Sequence, residues 1–242
     1  QTLFFSATMP DDVRQLAHDV LGNPFRVQIG ESVPVATVSH ALYPVPSHLK
    51  TALLLELLHH TDTDSVLIFT RTKHRAKRLG DHLKHAGYSS TSLQGNLSQS
   101  KRQDALDGFR SGKYQIMVAT DIAARGIDVT SISHVINYDM PDTADAYTHR
   151  IGRTGRAAKK GDAFTLITSE DAGMVRAIER TMRSKLERRK LDGFDYKEEQ
   201  PARDTEFHRP PRPPQRQRQR SENIDAHDNK SKPPLLSRHR DV

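Results

Sequence analysis

The 242-residue sequence contains no cysteine and no tryptophan. Without cysteine the chain has neither disulfides nor thiolate ligands for zinc, and a reducing compartment is compatible with it. Its longest strongly apolar run, residues 52–58, is far too short to span a bilayer, and the N-terminus shows no basic segment followed by an apolar one. These absences predict a soluble, cytoplasmic protein with no membrane partner.

Acidic residues are also fewer than basic ones, and the net charge of +7 suits a polyanionic partner without naming it. The excess of basic over acidic residues is concentrated in two stretches. Residues 176–190 hold seven bases and two acids, and residues 209–220 hold five arginines and no acid. Both stretches are candidate contacts for such a partner.

The most informative stretch is residues 149–156, which read His-Arg-Ile-Gly-Arg-Thr-Gly-Arg. If this octet is helical, arginines at three-residue spacing share one face and drift by roughly 60° per step. Arginine holds phosphate oxygens bidentately and does not lose its proton. Glycines between the arginines cost helix stability without a packing return, which favours a binding role over a solvated basic turn.

Three further blocks accompany the octet in a fixed order. Residues 6–8 read Ser-Ala-Thr, residues 66–73 read Val-Leu-Ile-Phe-Thr-Arg-Thr-Lys, and residues 118–129 read Val-Ala-Thr-Asp-Ile-Ala-Ala-Arg-Gly-Ile-Asp-Val. Together the four blocks resemble motifs of superfamily-2 helicases, specifically DEAD-box RNA helicases, over residues 1 to about 190. The residues of these blocks are similar to those of bacterial RhlE-type members of the family.

Strand and helix patterns alternate along most of the chain. Periodicity predicts a helix over 11–21, strands at 1–5 and 25–29, and then an alternating series. The strands of that series are 39–45, 66–70, 90–94, 115–120, 133–138 and 162–167, and its helices are 47–60, 72–86, 98–111, 142–150 and 169–190. Such alternation predicts an α/β fold with a parallel sheet and helices on both faces. The resemblance implies that this is the RecA-like C-terminal helicase domain.

Four regions follow from this pattern and from the resemblance. Residues 1–30 resemble the end of helicase domain 1, residues 31–38 the interdomain linker, and residues 39–192 the RecA-like C-terminal domain. Residues 193–242 are rich in proline, arginine and glutamine and are predicted to be a disordered basic tail. The tail would tether RNA through its phosphates or serve only for solubility.

The family's phosphate-binding loop and Asp-Glu-Ala-Asp box lie in domain 1, and neither is found in this sequence. The resemblance therefore implies that ATP and Mg²⁺ are bound mainly by domain 1, and this chain alone is predicted to be inactive. No metal site is predicted in the chain itself.

The resemblance assigns RNA-backbone contacts to four residues: Arg71, Gly95, Arg102 and Thr120. Few residues are aromatic, 6% of the chain, and no stacking platform or base-reading code is evident. Sequence-specific recognition is therefore not predicted.

The resemblance assigns the nucleotide side to a second set of residues. Arg153 and Arg156 would act as arginine fingers toward the γ-phosphate, Asp128 would contact the ATP ribose, and Arg125 would link the two sites. Arg150 is predicted to organise the octet. Ser6, Thr8 and His149 are predicted to couple the two domains. For Asp121 the residue type fits an N-cap or turn equally well.

The predicted function is that of the C-terminal part of an ATP-dependent RNA helicase that locally unwinds RNA duplexes, with ribosomal or RNA-decay complexes as possible partners. Two alternatives stay open. One is a stand-alone, non-enzymatic RNA-binding or chaperone module. The other is a DNA-directed superfamily-2 enzyme, which the wording of the motif blocks disfavours.

Overall fold

The computed structural model describes residues 1–6, 9, 11–27, 38–61, 64–124, 132–155 and 161–199. The described residues belong to one compact unit, which includes residues 193–199, predicted as tail. The rest of the predicted tail lies outside the described residues. Within the described ranges, no helix combines the length and the hydropathy needed to cross a membrane.

The described residues form helices and strands that largely alternate. The helices are α1 Asp11–Leu21, α2 Lys50–His60, α3 Lys73–His85, α4 Gln99–Arg110, α5 Asp121–Ala124, α6 Ala144–Ile151 and α7 Ala172–Met182. The strands are β1 Val38–Pro44, β2 Val66–Phe69, β3 Ser90–Leu93, β4 Ile116–Ala119, β5 His134–Asn137, β6 Gly161–Ile167 and β7 Glu187–Arg188.

The strands make one seven-stranded sheet in the order β3-β4-β2-β5-β6-β1-β7. Every pair in the sheet is parallel. This confirms the predicted α/β fold with a RecA-like sheet. Because all strands point the same way, the loops that leave them meet at one edge, here called the carboxyl edge; the opposite edge is called the amino edge.

Both faces of the sheet are covered. On one face α4 and α5 pack over β2, β3, β4 and β5, and α6 and α7 pack over β1 and β6. On the other face α3 crosses so closely that a Cβ at Gly80 would lie 3.2 Å from the Cβ of Ser92. The right-handedness of parallel crossovers places α2 on the same face as α3. All residues of β2, β4 and β5 are therefore buried.

Hydroxyl side chains begin three of the helices that follow a strand. The hydroxyls of Thr72, Ser98 and Thr143 accept backbone N–H groups in the first turns of α3, α4 and α6. These caps satisfy donors that a helix start leaves without partners. Each helix start is thereby held in place near the carboxyl edge.

The strand predicted at 1–5 and the end of the helix predicted at 169–190 are wrong. Residues 1–6 form no strand, and neither do residues 25–27, the described part of the strand predicted at 25–29. Phe5 and Phe25 are 86% and 93% exposed. A strand needs a neighbour for its backbone hydrogen bonds, and no described residue supplies one to these segments. The predicted helix over 169–190 ends at Met182, because Arg183 adopts a left-handed conformation with φ 52°. The chain then forms β7, which the prediction missed.

A half-buried histidine in β1 makes the stability of this fold depend on pH. Burial lowers the pKa of His40 below 6.5, and its Nδ1 lies 3.3 Å from the Tyr147 hydroxyl. Below pH 6.5 the unfolded chain takes up the proton more readily than the folded chain. We expect the contribution of His40 to the free energy of unfolding to be fully present above pH 6.5. It should be lost as the pH falls from 6.5 through the lowered pKa of the folded protein.

Urea unfolding at about pH 8 and about pH 5 measures this effect. Between these two pH values, the free energy of unfolding should drop less for His40→Gln than for the wild type, because glutamine does not titrate. An equal drop in both proteins would show that His40 does not contribute.

Candidate functional site

Three of the predicted RNA-contacting residues lie side by side at the carboxyl edge. Gly95, Thr120 and Arg71 follow β3, β4 and β2, and β4 lies between the other two strands. Neighbouring strands are about 4.8 Å apart, so the ends of β3 and β2 are separated by about 10 Å. The fold therefore brings together residues that lie up to 49 positions apart in the sequence.

Gly95 lies on an exposed turn after β3. A Cβ at this position would meet nothing within 4 Å, and the glycine is not among those with positive φ. Neither packing nor backbone conformation requires glycine here. The turn is open on its outer side, where an extended ligand has room to approach closely.

Arg102 and Thr120 frame the short helix α5. The guanidinium of Arg102, in the first turns of α4, donates to the carbonyl oxygen of Ala123 at 2.6 Å. Thr120 caps the same helix through its carbonyl, which accepts the N–H of Ala124 at 2.9 Å. Both side chains are half-buried. Arg102 thus joins α4 to the loop that carries Thr120.

Arg71 is positioned by the loop that follows β5. Its backbone N–H donates to Asp139 Oδ2 at 2.9 Å, and its side chain, 56% exposed, lies 3.6 Å from Asp142 Oδ1. Asp139 is buried, and its other oxygen accepts from Arg75 at 2.6 Å. Sequence reasoning missed Asp139 and Arg75, although an acid directly after a buried strand was a usable signal.

Lys50 fixes the same loop from the opposite side. Its Nζ donates to the carbonyl oxygen of Tyr138 at 3.0 Å, and the Thr51 hydroxyl lies 2.8 Å from the Tyr138 hydroxyl. Burial lowers the pKa of Lys50, and the carboxylate of Asp139 partly opposes this shift. These contacts make the β5–α6 loop a rigid support for Arg71.

Arg150, the first arginine of the octet, is a buried organiser. Its Nε and Nη2 donate to the two carboxylate oxygens of Asp121, both at 2.7 Å. Its Nη1 donates to Asn137 Oδ1 at 3.1 Å and to the Asp139 carbonyl oxygen at 2.7 Å, and the guanidinium stacks on Phe69. These contacts support the predicted organising role, which stays a prediction. Asp121 is not only a turn residue, because it joins the 118–129 block to the octet.

The remaining described residues of the octet do not continue the helix. α6 ends at Ile151, so the octet is not helical throughout, and the condition under which Arg150 and Arg153 would share a helical face is not met. Thr154 instead donates to the carbonyl oxygens of Ile132 at 2.6 Å and Ser133 at 2.9 Å. These oxygens precede β5, so the half-buried Arg153 lies toward the amino edge.

This turn is packed against the start of β6. A Cβ at Gly161 would lie 2.2 Å from the hydroxyl oxygen of Thr154 and 2.5 Å from the backbone nitrogen of Gly155. Glycine is therefore required at position 161 by close approach. The fold separates the predicted RNA residues at the carboxyl edge from the predicted nucleotide residue Arg153.

Several predicted site residues are not placed. Thr8, Arg125, Asp128 and Arg156 lie outside the described residues. His149 is exposed in the last turn of α6, and Ser6 is exposed before α1. The coupling role of these two residues stays a prediction.

Comparison with known proteins connects this arrangement to a family. The family model "Helicase conserved C-terminal domain" matches residues 49–158. The structure of the E. coli DEAD-box protein SrmB bound to regulator of ribonuclease activity A is similar at a TM-score of 0.63 and 35% identity, covering 69% of this chain and 98% of the chain solved there. The chain belongs to the DEAD-box helicase family.

Other members of the DEAD-box family agree with this assignment. CshA, named a DEAD-box ATP-dependent RNA helicase, is 40% identical in Geobacillus kaustophilus and 39% in Bacillus subtilis, each over 81% of this chain. S. cerevisiae Dbp5 bound to RNA and ADP BeF3 is 32% identical, with a TM-score of 0.70 over 78% of this chain and 51% of Dbp5. The chain spans 42% and 40% of the two CshA proteins. The RhlE-type likeness stays a prediction.

Proposed function

We propose that this chain is the part of an ATP-dependent RNA helicase that binds the RNA backbone and activates ATP hydrolysis. The proposal is carried by the hydrogen bonds that Arg150 makes to Asp121, Asn137 and Asp139, here called the Arg150 cluster. This cluster ties the loop after β4, the loop after β5 and the octet into one unit, with predicted RNA residues on one side and Arg153 on the other. A unit of this kind lets nucleotide binding and RNA binding influence each other.

The RNA side would work through phosphates and sugars. Arg71 and Arg102 supply guanidinium groups, Thr120 supplies a hydroxyl, and Gly95 leaves room for the backbone to approach. No base-specific contact is proposed. The Dbp5 structure with bound RNA supports RNA as the ligand class for this fold.

The nucleotide side would be completed by another domain. Within the described ranges no cluster of three or more metal-ligating side chains is present, and the proposal assigns ATP and Mg²⁺ mainly to the domain that carries the phosphate-binding loop. Arg153 and Arg156 would stabilise charge on the γ-phosphate during hydrolysis. Asp128 would hold the ribose, and Arg125 would connect it to the RNA side. Closure around both ligands would disrupt a short RNA duplex.

RNA binding by the chain itself gives the first test. Arg102→Ala removes one charged donor, and we expect the affinity for single-stranded RNA to fall by about tenfold, since a charge-assisted hydrogen bond contributes about 1.5 kcal/mol. Fluorescence anisotropy with a labelled oligonucleotide measures this change. Lys84→Ala is the control, because Lys84 is exposed near the end of α3, at the amino edge.

The same titrations separate the alternatives. Equal affinity of Arg102→Ala and the wild type would contradict the proposed RNA surface. Tighter binding of single-stranded DNA than of RNA would favour the DNA-directed enzyme. RNA binding without stimulation of ATP hydrolysis, when an ATP-binding domain is supplied, would favour the non-enzymatic module. Cytoplasmic location and ribosomal or RNA-decay partners stay predictions.

A further inference from the structure

A basic depression lies at the end of α7, outside the site described above. It has a volume of about 610 Å³. Its lining residues are Arg176, Glu179, Arg180, Arg183, Ser184 and Lys185. We call its four cationic residues, Arg176, Arg180, Arg183 and Lys185, the α7 basic surface.

The α7 basic surface carries little compensating negative charge. All four cationic residues are exposed. In the part of the chain that the structure describes, Arg176, Arg183 and Lys185 have no acidic partner. Glu179 is the one acid in the lining, and it is 16% exposed and already accepts from Arg188 at 3.1 Å and from the N–H of Leu186 at 3.1 Å. An anion entering the depression therefore meets several cations and one carboxylate that is already paired.

The backbone places these cations together. Arg176 and Arg180 are four residues apart and share one face of α7. Arg183 is the residue at which α7 ends, with φ 52° and ψ 27°. Most helices that end this way have glycine at that position, because a side chain is strained there. Here an arginine occupies it and lines the depression.

This surface is far from the predicted RNA residues. α7 starts beyond the carboxyl end of β6 and runs back along the sheet, so its last turn lies at the amino edge. α7 packs over β6 and β1, which are two and three strand positions from β2, or about 10–14 Å at 4.8 Å per strand. A short RNA bound across Arg71, Gly95 and Thr120 does not reach this surface.

We propose that the α7 basic surface is a second binding site for RNA phosphates, which holds a flanking part of an RNA whose other part lies at the carboxyl edge. The proposal rests on the proposed function, since it takes RNA as the ligand. Arginine forks match phosphate oxygens. Among the described residues, the lining contains no aromatic side chain on which a base could stack, so we expect the contact to be independent of base sequence.

Arg183→Gly is the most informative variant. Glycine relieves the strain at φ 52°, so the thermal unfolding temperature should stay the same or rise while one cation is lost. Loss of one phosphate contact lowers the affinity by about fivefold at 0.15 M salt and reduces the slope of log K against log salt by about 0.7 to 0.9. The double variant Arg176→Gln/Arg180→Gln should lose about 25-fold.

The experiment compares two RNAs with the whole 242-residue chain. One RNA has about 6 nucleotides and covers only the carboxyl edge, and the other has about 30 nucleotides and reaches both surfaces. The variants should bind the long RNA more weakly and the short RNA as the wild type does. Lys77→Gln/Lys84→Gln removes the same charge from exposed positions of α3 and should leave both affinities within about twofold.

Each possible result either supports or overturns the second RNA site on the α7 basic surface. Unchanged binding of the long RNA by Arg183→Gly and by the double variant would overturn the second site and leave the proposed function intact. Equal weakening for both RNAs, or the same weakening in the α3 control, would show a general effect of charge and also overturn it. If the wild-type chain binds neither RNA, the proposed function fails, and the second site fails with it.

Discussion

Replacing Arg153 with alanine is expected to abolish most RNA-stimulated ATP hydrolysis, by about 10³-fold or more. The reason is that an arginine finger stabilises charge that develops on the γ-phosphate only in the transition state, so its loss raises the barrier by about 4 kcal/mol. The measurement uses this chain fused behind the ATP-binding domain of a CshA relative. Phosphate release is followed with and without RNA.

The controls for this prediction address folding and RNA binding. Arg153→Ala should bind RNA as the wild type does, because Arg153 lies away from the carboxyl edge. Arg110→Ala removes an exposed arginine that lies 3.4 Å from Asp107, and hydrolysis should stay within about twofold of the wild type. A loss of less than tenfold in Arg153→Ala would argue against a finger at this position.

Arg150→Met is expected to lower the free energy of unfolding by about 3–5 kcal/mol. Methionine fills much of the volume but donates nothing. Asn137 Oδ1 and the carbonyl oxygen of Asp139 would then lose a buried donor, and Asp121 would lose both of its hydrogen bonds from Arg150. Urea unfolding followed by circular dichroism measures the change, and the same variant should lose RNA-stimulated hydrolysis because the motif blocks are no longer joined.

A double-mutant cycle identifies the pair responsible. Asp121 is 41% exposed, so Asp121→Asn should cost less than Arg150→Met, and in the double variant the two losses should not add. Arg110→Ala again serves as the exposed control, with an expected loss of less than 1 kcal/mol. A loss below 1 kcal/mol in Arg150→Met, or full additivity with Asp121→Asn, would contradict the organising role.

The buried strands and the helices between them could be predicted from local pattern. β2 is a run of four apolar residues, and α3 repeats its apolar positions every three or four residues. Patterns of this kind report burial directly. The end of α7 could not be predicted in this way, since Arg183 gives no glycine or proline signal. Leu186, three residues later, packs in the core.

The residues of the candidate site could be selected from the sequence, but the contacts that hold them in place could not. Motif resemblance selected Arg71, Gly95, Thr120 and Arg150 without reference to any contact. It did not indicate Asp139, whose carboxylate accepts the backbone N–H of Arg71 from 68 residues away. The position of this acid after a buried strand was a signal, but the backbone N–H that it accepts depends on which strands are neighbours.

The sequence by itself determined the fold class and the positions of the motif blocks, because apolar periodicity, glycine placement and arginine chemistry are local properties. Only the tertiary structure decided that Arg150 is buried against Asp121 and Asn137, that Arg153 lies toward the amino edge, and that the cations of α7 form a separate surface. Those outcomes depend on strand order, and strand order is set by the packing of the whole sheet and not by any one segment.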